Sequence, residues 1–145
     1  MTVVVATRVD LTLDAFRRVS RDGEGVELAP GTVERIDGLH EAFLAHVRTR
    51  LGADPGVLLY GITTAPGDSA ATALTDAMRA RTPVGLWTGV SFGEPLPERV
   101  TRGIVLARLA DMLGGHAAVR GVVAAEVAAL LADGTLPAVP ARGNG

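Results

Sequence analysis

The segment from Thr32 to Leu51 constrains the fold more than any other, because Val33, Ile36, Leu39, Phe43, Leu44, Val47 and Leu51 recur along it at helical spacing. Thr32 is an N-cap candidate, Glu34 sits in the first turn where the helix dipole favours a carboxylate, and Gly52 is placed to end the helix. Further helices are expected around it. Thr12 is placed to cap a short one with Leu13, Phe16 and Val19 on one face, ended by Gly23 and Gly25. Ser69 is placed to cap another, with Ala73, Leu74, Ala77 and Met78 as its stripe, until Pro83 and Gly85 disrupt the pattern. After the rigid turn EPLP, a long helix is expected from about Pro97 to Leu113, stopped by Gly114 and Gly115, and another from about Val122 to Ala132, stopped by Gly134.

Outside these helices, residues 3–9 are β-branched and alanine-rich, enough for one short strand or an extended lead-in. The stretch from Val84 to Gly93 is ambiguous, and the Pro/Gly-rich tail LPAVPARGNG cannot continue a helix. No internal repeat and no βαβ alternation are expected. The pattern predicts one mainly α domain over residues 1–145, with one short N-terminal strand possible.

Composition narrows the function classes. Net charge is −2 with no block of either sign, which leaves no footprint for nucleic acid or an anionic membrane. The absence of cysteine excludes a disulfide framework, a thiolate metal site and a Cys nucleophile, and points to a cytoplasmic location. Arg8 and Asp10 interrupt the apolar start before it reaches signal-peptide length, and no run is long enough to span a membrane. Hydrophobic residues make up 48% of the chain, yet Phe, Trp and Tyr number only three, one and one, so the core must be built from Ala, Val and Leu. A mean hydropathy of +0.30 is high for so short a chain and fits a large protein interface; an alanine-rich composition explains much of the same signal.

Most chemical motifs are missing. His40 and His46 lie six apart on one helix, on different faces rather than at the i, i+4 spacing of a ligand pair, and with His116 they read as structural or surface residues, so no metal is expected. There is no GxGxxG after a strand, no GxxxxGK[ST] and no GxSxG. One constellation stands apart. Tyr60, the one tyrosine, lies where the apolar run Val57 to Tyr60 breaks into a loop, followed by Gly61, which allows a ligand or another backbone to approach. On composition alone it reads as a half-buried packing residue.

The segment Tyr60-Gly61-Ile62-Thr63-Thr64 resembles the Y-G-[VI]-T-T motif of the histidine, phenylalanine and tyrosine ammonia-lyases and the related aminomutases. Three further features fall in that family's order. LTLDAFRRVSRDGEGVEL resembles its opening segment, GEPLP at Gly93 to Pro97 matches the turn after its substrate-selectivity segment, and ALLADGTLPAVPARG resembles its approach to the prosthetic group. The resemblance covers nearly all of this chain but only about the first quarter of a typical member. It implies that Tyr60 is the base that removes a β-proton from an amino acid whose amine has added to a methylidene-imidazolone electrophile, ammonia then leaving to give an unsaturated acid. Gly61 is expected to line the pocket, and Thr63 and Thr64 to support the loop, local turn bonding being the alternative for the threonines. A phenol, whose ordinary pKa is ~10, needs nearby donors or positive potential for this task, and no adjacent Lys or Arg supplies them.

The electrophile forms in that family from Ala-Ser-Gly, which is nowhere in these 145 residues. In the family it comes shortly after a stretch like Pro140 to Gly145, so the resemblance implies a split enzyme: this chain as small subunit, forming no cofactor itself, and a large partner subunit with an Ala-Ser-Gly-like motif, together a hetero-oligomer. A truncated piece of a longer chain is the competing account. Two departures bear on activity. The family's Gly-Phe-Gly after YGITT is replaced by Ala65-Pro66-Gly67-Asp68, and Pro83 stands at its Asn while Trp87-Thr88 occupies the pair that helps select substrate. Trp87 and Thr88 are thus expected to contact substrate and to favour a smaller or differently shaped amino acid, unless Trp87 is a core aromatic. An aminomutase subunit, or a non-catalytic binding or regulatory subunit that kept the fold, are the alternatives.

Overall fold

The computed structural model describes residues 1–65, 71–75, 77–78 and 91–143. They belong to two compact units, Met1–Phe43 with Val90–Gly145, and Leu44–Gly89.

The first unit begins with strand β1 (Thr2–Val5), a 3-10 turn (Arg8–Asp10), helix α1 (Leu13–Ser20) and strand β2 (Gly25–Leu28). The two strands pair in parallel, Val3 opposite Val26 and Val5 opposite Leu28. A parallel pair needs a crossover, and α1 provides it. The chain therefore opens with a βαβ unit, contrary to the expectation of none. Asp10 fixes the turn that launches the crossover: its carboxylate accepts the backbone N–H groups of Thr7 at 2.7 Å and Ala6 at 2.9 Å. Those two bonds hold its carboxyl below the usual range. Thr12 caps α1 as expected, its hydroxyl accepting from Ala15 N at 3.1 Å. The buried face is only in part the one expected, Val19 being the shared residue. Ala15 and Val19, one turn apart, face the interior, whereas Leu13 is 91% exposed and Phe16 lies over Gly103, whose absent Cβ would sit 3.0 Å from the ring.

Helix α2 (Thr32–Ala53) contributes its residues 32–43 to this unit, and helices α3 (Glu98–Leu113) and α4 (Gly121–Asp133) complete it. Thr32 is the first helical residue of α2 rather than its cap, and the helix continues one residue past Gly52. Gly134, left-handed at φ 70°, ends α4 where the sequence placed the stop. Leu106, Leu109, Met112 and Leu113 of α3, Ala124, Ala128 and Leu131 of α4, and Ile36 of α2 meet Val3, Val5, Val19 and Val26 in one core. Full burial of each large aliphatic stabilises by about 1.5–3 kcal/mol.

Small residues let the elements approach. A Cβ on Gly121 would lie 2.3 Å from the Val33 carbonyl oxygen, so glycine is what allows α4 to start against α2. The same spot is stitched by Asp37, whose carboxylate accepts Gly121 N–H at 2.7 Å and so caps α4 from a neighbouring helix. His40 lies one turn on, its Nδ1 2.9 Å from the Ala118 carbonyl oxygen, a packing role like the one its spacing suggested.

Strands β3 (Ser91–Pro95) and β4 (Pro140–Gly143) form a second, antiparallel pair, with an irregularity between Phe92 and Pro95. Four strands thus stand among the described residues where one was expected. GEPLP and the tail, far apart in sequence, are paired: Phe92 is opposite Arg142, and Gly93 at φ 93° packs against the Arg142 side chain.

In the second unit the stripe expected on a helix from Ser69 is not helical at Ala73 and Leu74. Thr64 and Ala73 form an antiparallel bridge and Leu74 N–H donates to the Thr63 carbonyl at 2.7 Å. Ala77 and Met78 are helical, with Met78 N–H on the Thr75 hydroxyl at 3.2 Å. Ser69 itself lies outside the described residues.

Two glycines of α2 and α4 should respond oppositely to a methyl group. Gly121→Ala is expected to destabilise the fold by about 1–3 kcal/mol through overpacking, whereas Gly38→Ala, in α2 with open space at its Cβ position, should stabilise by about 0.5–1 kcal/mol; urea unfolding of both variants measures this. Glu24 receives a forked pair of bonds from Arg18, at 3.0 and 2.6 Å. That hydrogen bonding holds the Glu24 carboxyl below its ordinary value of 4.5. Its contribution is therefore complete above that value and is lost as pH falls through the lowered one. The urea midpoint should drop on going from neutral to acidic pH, and drop less in Glu24→Gln.

Candidate functional site

Tyr60 sits in the second unit, on a loop that hydrogen-bonds to itself. A first turn comes after α2, with Val57 N–H on the Asp54 carbonyl at 3.1 Å and Gly56 N–H on the Asp54 carboxylate at 2.9 Å. The next turn carries the tyrosine. The Leu59 carbonyl accepts three successive amides, from Ile62 at 3.0 Å, Thr63 at 2.9 Å and Thr64 at 3.3 Å. Gly61, third in the turn Leu59–Ile62, has φ 71°, a region that other residues enter at a cost of about 1–2 kcal/mol. Glycine here is a backbone requirement, and the space where its Cβ would stand is open.

Both threonines of this loop are buried. Thr63 is 5% exposed, and its hydroxyl accepts Leu59 N–H at 2.7 Å while donating to the Val57 carbonyl at 2.8 Å. Thr64 is 1% exposed, and its hydroxyl has no hydrogen-bond partner among the described residues. Tyr60 is 67% exposed at the tip. It is more exposed than the half-buried residue that composition alone suggested. Tyr60, Gly61, Thr63 and Thr64 are thus brought into one loop, while Trp87 and Thr88 lie outside the described residues. The Val57 and Leu59 carbonyls are parts of the site that sequence reasoning missed; a backbone acceptor leaves no side-chain signal.

Elsewhere the candidates are thin. A groove of about 520 Å3 opens in the first unit between α1 and α3, over Phe16, Val100 and Ile104, with Arg21 and Arg99 at its rim. It pairs no nucleophile with a base. Among the described residues no three His, Asp or Glu side chains gather closely enough to hold a metal ion, and no helix is long and apolar enough to cross a membrane.

The chain is similar to known proteins. Residues 11–144 match the family described as aromatic amino acid lyase. A histidine ammonia-lyase of Deinococcus radiodurans is 33% identical over 139 residues, covering 93% of this chain and 25% of the relative. An MIO-dependent tyrosine 2,3-aminomutase of Streptomyces globisporus is 29% identical over 99% of this chain and 26% of its own length. The crystal structure of a tyrosine aminomutase from the same organism superposes with a TM-score of 0.72 at 25% identity, covering 99% of this chain and 26% of that one. The chain spans about a quarter of the length of the relatives it matches. With a match over nearly its whole length, the chain belongs to the aromatic amino acid lyase family.

Proposed function

We propose that this chain supplies the base of an ammonia-lyase. The carrying observation is the loop that closes on the Leu59 carbonyl and leaves Tyr60 exposed beside the open space at Gly61, within a chain of this family. A proton on the β-carbon of an amino acid approaches the Tyr60 oxygen across Gly61, whose lack of a side chain clears the path. The phenolate takes that proton, the carbon–nitrogen bond breaks, and an unsaturated acid and ammonia leave. Trp87 and Thr88 contact the substrate side chain in this reading and favour a small amino acid.

No Ala-Ser-Gly, from which a methylidene-imidazolone would form, stands among these 145 residues. The electrophile belongs to a large partner subunit with an Ala-Ser-Gly-like motif, and the active species is a cytoplasmic hetero-oligomer. In this reading the partner adds donors around the phenol; neither sequence neighbour of Tyr60 is cationic. An aminomutase, in which ammonia is added back, is the second reading, favoured by the likeness to the tyrosine aminomutase structure; the product, unsaturated acid or β-amino acid, separates the two. A non-catalytic subunit would keep the fold and show neither.

In the assembled pair, Tyr60→Phe is expected to lower kcat by about 100- to 10,000-fold, the usual contribution of a positioned base. Release of the unsaturated acid from candidate amino acids, monitored by its absorbance, measures it. Full elimination by the phenylalanine variant, or no electrophile absorbance in the wild-type pair, sinks the proposal.

A further inference from the structure

We propose that Thr63 is a positioning residue: its hydroxyl is a latch that holds the tyrosine loop in its reactive shape before substrate or partner arrives. This rests on Tyr60 being the base and adds how its place is fixed.

The geometry leaves the hydroxyl one arrangement. A threonine Oγ1 has one proton to give and lone pairs to receive. Its proton goes to the Val57 carbonyl at 2.8 Å, the other carbonyl within reach, that of Leu59, being at 3.5 Å. A lone pair takes Leu59 N–H at 2.7 Å, at the short end of the range for such bonds. One buried oxygen thereby joins Val57 and Leu59, on the near side of the tyrosine, to Thr63 on the far side. The Thr63 backbone closes the same ring, its N–H on the Leu59 carbonyl at 2.9 Å and its carbonyl receiving Leu74 N–H at 2.7 Å. Four hydrogen bonds converge on one residue three places after the base. The backbone on both sides of Tyr60 is thereby pinned.

Turn formation alone does not require this. The turn is already closed by the three amides on the Leu59 carbonyl and by the left-handed Gly61. What the hydroxyl adds is an anchor for the incoming segment, residues 57–59, which fixes the direction from which Tyr60 leaves the backbone. The neighbouring Thr64 is equally buried yet makes no such bridge among the described residues.

The test compares Thr63→Val, which keeps the shape and loses the hydroxyl, with Thr63→Ser, which keeps the hydroxyl, both against Tyr60→Phe in the assembled enzyme. Thr63→Val should lower kcat about 100-fold, the effect of roughly a 1 Å misplacement of a reacting group, with KM nearly unchanged, and Thr63→Ser should recover most of the rate. Leu59 N–H should exchange with solvent about tenfold faster in Thr63→Val, the factor expected for losing one ordinary hydrogen bond. Thr63→Ala serves for both measurements if the valine variant does not fold. A valine variant as active as wild type, while Tyr60→Phe is inactive, overturns the latch and leaves the base intact. If Tyr60→Phe is fully active, the base is wrong, and amide exchange alone then decides the latch: unchanged exchange at Leu59 removes it.

Discussion

The buried guanidinium of Arg102 is the contact on which the first unit depends. Only 3% of the residue is exposed, and from α3 it donates to the carbonyls of Val19 at 2.7 Å, Glu24 at 2.6 Å and Leu131 at 3.3 Å. Val19 is in the last turn of α1, Leu131 in the last turn of α4, and Glu24 immediately precedes β2. Helix ends present unpaired carbonyls and partial negative charge, so one cation answers several such groups at once. Burying a charge costs several kcal/mol unless its donors are satisfied. Here the flat fork of arginine meets three acceptors that a lysine ammonium would not reach together. Glu98, 3.9 Å away and largely in solvent, adds little.

Arg35 repeats the device on the other side. Its Nη2 donates to the Ala6 carbonyl at 2.8 Å and to the Leu113 carbonyl at 2.9 Å, tying the end of β1 to the last turn of α3. Side chains as small as Val and Ala bury area without demanding one exact register. The arginines supply the register that such a core lacks.

The legible parts of the fold were those written in side chains. Thr12, Gly114 and Gly134 mark helix ends locally, and α1, α3 and α4 stand where those signals fall. Strand β2 was hidden because it is four residues long, begins at the glycine read as a helix stop, and buries one residue fully, Val26. β3 and β4 were unreadable for another reason: each exists only through pairing with a segment distant in sequence, and every residue of β3 is exposed, so no alternation marks it. Leu13 misled because a leucine in a first helical turn need not face the core. At the site, tyrosine beside glycine was visible as a pattern, but the carbonyls of Val57 and Leu59 belong to residues whose side chains carry no chemistry.

The triple acceptance at the Leu59 carbonyl has a further consequence for how such a sequence can change. The amides that close on it end with Thr64, and peptide groups are the same whatever side chains they bear. The departure from the family pattern, Ala65-Pro66-Gly67-Asp68, begins at the next residue. The three amides that close on the Leu59 carbonyl therefore all precede the altered residues, while the Leu74 amide on the Thr63 carbonyl and the Thr64–Ala73 bridge still tie the knot to the chain downstream.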